Sequence, residues 1–97
     1  MGEQNPSIKV IINGQEIEGA IVDGGLGVNV INKTTCDKLG ITKWEACPFW
    51  LRIAYTSTIR PIGLLRQLDF VLGGHTFQIS AVVLHLEAPG AYPLLLG

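Results

Sequence analysis

Charge is scarce and unpatterned in this sequence. Of 97 residues only 15% are charged, with 7 Lys and Arg against 8 Asp and Glu, for a net charge of −1. No basic stripe exists to follow a phosphate backbone, so no nucleic-acid partner is expected. Cysteine is equally thin. Cys36 and Cys47 make no disulfide framework, and their spacing to His75 and His85 fits no zinc pattern, so no metal is expected. Both thiols are expected to be reduced and packed as small apolar groups. No apolar run approaches the ~18 residues of a membrane span, and the N-terminus lacks the apolar block of a signal peptide. These absences lead us to expect an intracellular, cytoplasmic protein without a membrane partner.

Apolar residues, by contrast, make up 47% of the chain. The length suits one domain, and folding at this size buries somewhat over ~60% of the extended-chain surface. Part of the apolar excess is therefore expected to face a ligand or a partner.

Residues 1–6 are polar and expected to be frayed, with residues 7–97 forming the domain. A strand over Ser7–Ile12 meets Asn13-Gly14, a strong hairpin signal, and Gln15–Val22 returns with Glu16 and Glu18 outward and Ile17 and Ala20 inward. A short buried strand is expected at 28–31. Asn32 is a good N-cap for a helix over Lys33–Leu39, which Gly40 ends. Segments 49–53 and 59–65 read as the arms of a hairpin with a polar tip, the second arm bent at Pro61. Residues 67–72 and 75–84 form another hairpin around Gly73-Gly74, and 93–97 a last apolar strand. Trp44 and Trp50 are expected to cover core. Seven or so short strands with one short helix predict a mainly β domain, closed or sandwiched.

One stretch carries chemistry. The apolar strand ending at Val22 runs into Asp23, the chain turns on Gly24, Gly25 and Gly27, and a second apolar strand leaves. Glycines let backbone N–H groups approach a carboxylate closely. Asp-Gly is also an ordinary turn pair, so the triplet alone leaves both readings open. The Gly24-Gly25-Leu26-Gly27 run has neither Walker nor full dinucleotide-fingerprint spacing, which leaves nucleotide binding without support.

The order of these features resembles the retropepsin-like aspartic proteases, above all the protease domains of retrotransposon polyproteins. The likeness runs over most of the chain: a hairpin, the apolar-apolar-Asp-x-Gly loop at 21–25, the Val28-Asn29-Val30-Ile31 strand, and a helix ending in Leu39-Gly40-Ile41. A flap-like hairpin at 54–59, Gly63, the Gly73-Gly74 turn and a closing Leu95-Leu96-Gly97 follow. The resemblance implies a closed acid-protease barrel with one short helix, paired as a two-fold homodimer. It implies an aspartic endopeptidase that needs no cofactor, with water activated by two Asp23 carboxylates across the dimer. Asp37 and Asp69 sit in a helix and a strand without glycine turns, so each chain offers one such carboxylate.

The same resemblance makes Gly24, Gly25, Leu26 and Gly27 the active-site loop, and Ala54, Tyr55, Thr56 and Ser57 the flap over an extended peptide or polyprotein. Val28, Ile53, Ile59, Leu95 and Leu96 become the pocket residues. The sequence departs from the family in four places. Gly24 stands where Thr or Ser is usual, removing a hydroxyl that would bond across the dyad. Leu26 replaces a small residue, Tyr55-Thr56 lacks a flap-tip glycine, and the sequence stops at Gly97, before the family's C-terminal helix and strand. These departures keep a second reading open: a weakly active or inactive module that dimerises or binds peptides on the same barrel.

Overall fold

The computed structural model describes residues 6–25, 27–54 and 56–97, with only the backbone for Ile53 and Ala54. Of residues 1–6, expected to be frayed, 1–5 lie outside the described residues, as do Leu26 and Tyr55, whereas Pro6 is tied down, its carbonyl accepting from the Val22 amide at 3.1 Å.

Alternating burial sets the first hairpin. In β1 (Ser7–Ile12) Val10 and Ile12 point inward while Lys9 and Ile11 face out. Asn13 and Gly14 both take positive φ, 53° and 76°, the turn whose twist matches the flanking strands. In β2 (Gln15–Val22) the buried positions are Ile17 and Ala20, three apart and so out of phase with a strand's period of two. Gly19 (φ 86°) takes up the extra residue, and the register accordingly shifts between Ile8 and Lys9. This bulge keeps Ala20 pointing inward.

β3 (Val30–Asn32) is wholly buried and leads directly into α1 (Lys33–Leu39). Asn32 caps the helix by accepting from the Thr34 amide, and Gly40 (φ 75°) closes it, as the sequence indicates. The strand is shorter than expected: Val28 and Asn29 precede it as part of the loop.

β4 (Leu51–Ala54) and β5 (Ser57–Ile59) form a separate two-stranded ribbon. Past Pro61 the chain does not make two short arms but one long strand, β6 (Gly63–Leu72), paired with β7 (His75–Leu84) around Gly73-Gly74. The expected break at residue 66 is a register shift between Leu65 and Leu68 within this pairing. A polar Arg66-Gln67 pair can signal a bulge as readily as a strand end.

β8 (Leu94–Leu96) inserts between β2, to which it is parallel, and β3, to which it is antiparallel. The strand order β1-β2-β8-β3-β7-β6 closes into a barrel where Ile11 meets Val71. Its main core gathers Val10, Ile12, Ile17, Ile31, Val83 and Leu94 with Cys36 and Leu39 of the helix. A second cluster contains Cys47, Val30, Val82 and Leu95.

Both thiols are free and buried, Cys36 in one cluster and Cys47 in the other. Burial, reinforced by the charge of Asp37, pushes the Cys36 thiol up to about 11. Trp44 packs on the main core, its ring lying where a Cβ at Gly63 would overlap it. Trp50 corrects the expectation drawn for it. It is 63% exposed, because it precedes a ribbon that lies outside the barrel sheet.

Candidate active site

The parallel pairing of β2 with β8 delivers Asp23. Val22 is in register with Leu96, and the Asp23 amide donates to the Leu96 carbonyl at 2.9 Å, so the carboxylate leaves the barrel where the ladder ends. The loop then turns back on its own side chain. The Gly25 amide donates to Asp23 Oδ1 at 3.2 Å. Gly27 adopts φ 78°, a conformation that L residues take at a cost.

Asn29 anchors the far side of this loop. Its Oδ1 accepts from the Gly97 amide at 2.9 Å, its Nδ2 donates to the Ser80 carbonyl at 2.9 Å, and its own carbonyl accepts from Val82 N at 2.9 Å. Gly97 lies flat on the residue before Asn29. A Cβ at position 97 would overlap the Val28 carbonyl oxygen and come within 2.8 Å of its nitrogen. Space, not backbone angle, is what requires glycine in Leu95-Leu96-Gly97. The Asp loop is thus held by two chain segments far away in sequence.

The half-buried Asp23 carboxylate opens on a cleft of about 670 Å³. Ile21, Ala91, Tyr92, Pro93 and Leu95 line it, with Gly19 and Gly90, and Glu18 is its other charged residue. Burial first, and the negative charge of Asp23 second, push the Tyr92 phenol above its ordinary value. At neutral pH Tyr92 therefore remains a neutral donor beside a carboxylate. The wall bearing Tyr92 comes from the connection between β7 and β8, and buried Asn32 holds it. Asn32 Nδ2 donates to the carbonyls of Leu86 (3.1 Å) and Tyr92 (3.4 Å), and Oδ1 accepts from the Leu86 amide at 3.2 Å.

The residues singled out from the sequence are placed unevenly. Gly24 and Gly25 are exposed on the Asp23 turn, Gly27 follows on the same loop, and Leu26 is outside the described residues. Thr56 and Ser57 are exposed at the turn of the β4–β5 ribbon, where Ser57 pairs with Ala54. Of the five pocket residues Leu95 lines the cleft. Leu96 packs on the main core, Val28 on the second cluster, and Ile59 is exposed on the ribbon. The side chain of Ile53 lies outside the described residues. Sequence reasoning missed Ile21, Ala91, Tyr92 and Pro93. Ile21 was legible, since it sits two positions before Asp23 on the same strand face. The other three depend on how the connection folds back, for which no local signal exists.

No protein-family model matches the sequence, and no curated protein does. Solved structures do match in shape. The retroviral protease-like domain of Ddi1 from Leishmania major superposes with a TM-score of 0.72 at 17% identity, covering 100% of this chain and 70% of that one. EIAV protease, solved in complex with the inhibitor HBY-793, gives 0.75 at 13% identity, covering 99% and 84%. A retropepsin-like aspartic protease from Rickettsia conorii gives 0.71 at 22% identity, covering 100% and 70%. At these identities the likeness is one of architecture. The closed six-stranded barrel, with one helix among the described residues, matches the retropepsin-like fold.

Proposed function

We propose that the protein is an aspartic endopeptidase of retroelement type that works as a two-fold homodimer, each chain contributing one Asp23. The observation that carries this reading is the placement of Asp23. It stands on a glycine turn at the end of the parallel β2–β8 pair, half-buried beside an apolar cleft.

Two such carboxylates a few ångströms apart cannot both ionise, and the pair shares a proton. The ionised member takes a proton from water as the water oxygen attacks the peptide carbonyl carbon, and the protonated member gives its proton to the carbonyl oxygen. The resulting diol collapses as the C–N bond breaks, with a proton passing to the leaving nitrogen. No cofactor enters these steps. Gly25 and Gly27 supply backbone groups beneath an extended substrate strand, with Thr56 and Ser57 above it. A polyprotein with apolar cleavage sites is the substrate class that fits an apolar cleft. Gly24 leaves the two loops without hydroxyls to bond across the dyad, so the departure falls on dimer affinity and rigidity rather than on proton transfer.

The test is cleavage of an unfolded, apolar-rich protein at about pH 4–6 by wild type and Asp23→Asn. Loss of about 10³-fold in rate in the variant is the expected result, the scale of a lost acid–base pair. Equal inertness of both, together with a stable dimer, supports instead a peptide-binding or dimerisation module on the same fold.

A further inference from the structure

We infer that Asn32 is a positioning residue for substrate, one that fixes the wall of the Asp23 cleft and thereby sets which side chains the cleft accepts. The inference rests on the peptidase reading above. As a helix cap Asn32 needs only one acceptor, and Ser, Thr or Asp would serve equally. Here every hydrogen-bonding capacity of the amide is used, in a residue that is 3% exposed. Oδ1 accepts from Thr34 N (3.3 Å) and Leu86 N (3.2 Å), and Nδ2 donates to Leu86 O (3.1 Å) and Tyr92 O (3.4 Å). Three of these four bonds leave the helix for a connection more than fifty residues away in sequence.

That connection, residues 85–93, lies between β7 and β8 and belongs to no strand. Its own turn is closed by one backbone bond, Ala91 N to Ala88 O at 3.0 Å. Its second half carries Gly90, Ala91, Tyr92 and Pro93, one whole side of the cleft. Besides the two carbonyls held by the Asn32 amide, Pro93 O accepts from Asn32 N at 3.0 Å and from Thr35 Oγ1 at 2.9 Å. The start of α1 therefore fixes Leu86, Tyr92 and Pro93 together. A wall fixed through buried bonds holds the cleft to one width, which is what discrimination between side chains requires. Asp at this position cannot donate to the two carbonyls, and Ser keeps a capping oxygen but is too short to reach them. Only the amide does both.

The experiment measures KM and kcat of Asn32→Ser and Thr35→Val on peptides that differ only in the residue facing the cleft: Phe, Leu or Ala. Leu39→Ala, which weakens the same helix through its core face, is the comparison for lost stability. For Asn32→Ser, KM for the Phe and Leu peptides should rise about tenfold, the scale of a lost buried hydrogen-bond set, and the preference for them over Ala should fall in proportion. Thr35→Val should shift the preference in the same direction by less. Should Asn32→Ser behave like Leu39→Ala, with lower stability and an unchanged preference, the inference is overturned and Asn32 is a cap alone. Peptide affinity in an Asp23→Asn background, read by fluorescence anisotropy, separates this from failure of the peptidase reading. Weaker, less selective binding on adding Asn32→Ser supports the positioning role even without cleavage. Equal binding, or none in either background, overturns it.

Discussion

The hairpin turns of the barrel and the surround of its cleft are held by opposite kinds of interaction. In the two hairpins, Asn13-Gly14 and Gly73-Gly74 reverse the chain within two residues, and the glycines are there for their positive φ. Each reversal is dictated by its own residues and by the strands on either side. Around the cleft almost nothing is local. Asn29 reaches Ser80 and Gly97, Asn32 reaches Leu86 and Tyr92, and Thr35 reaches Pro93. The half of the molecule that can be read from short patterns builds the scaffold, and the half that cannot builds the site. Loops positioned by a rigid frame are where binding and chemistry concentrate.

Two glycine substitutions sharpen this contrast. Gly97→Ala should be the more damaging. Its Cβ would overlap the Val28 backbone, so β8, the Asp loop or both must shift, with an expected loss of ~3 kcal/mol measured by urea unfolding. Gly74→Ala meets no atom within 4 Å and pays only for φ 80°, an expected loss of ~1 kcal/mol. If Gly74→Ala proved the costlier of the two, the claim that space governs the cleft surround and backbone angle the hairpin turns would fail.

A pH-dependent contrast concerns Cys36, on the helix that links core to cleft. Its thiol is raised from 9.0 to about 11 by burial, so the fold favours the neutral form. The unfolded chain ionises this group first as pH rises. The stability it contributes is therefore complete below pH 9.0 and is lost as pH climbs through about 11. Denaturation midpoints measured from pH 8 upward should fall less steeply for Cys36→Ala than for wild type. Parallel pH profiles would show that the buried thiol titrates alike in both states.

Much of the scaffold is legible because each signal acts over a few residues. The hairpin at Asn13-Gly14, the cap at Asn32, the stop at Gly40 and the paired strands around Gly73-Gly74 all stand where the pattern puts them. The errors occur where a local sign has two meanings. Arg66-Gln67 signals a gap between strands as well as it signals a bulge inside one, and only continuous pairing with β7 decides. Trp50 is as apolar as Trp44, yet only Trp44 finds Gly63 and the core beneath it. Asp23 and its glycines are conspicuous in the sequence. The wall facing them, Ala91 to Pro93, carries no pattern of its own.

Periodicity and turn chemistry by themselves fix the hairpin turns, the helix and the carboxylate set on glycines, because these depend on neighbours close along the chain. Insertion of β8 between β2 and β3, the seating of Gly97 on Val28 and the cleft beside Asp23 are decided only when the barrel closes. The reason is entropic as much as geometric: contacts between residues fifty or more apart form only after the intervening chain has been ordered, so no short segment can encode them.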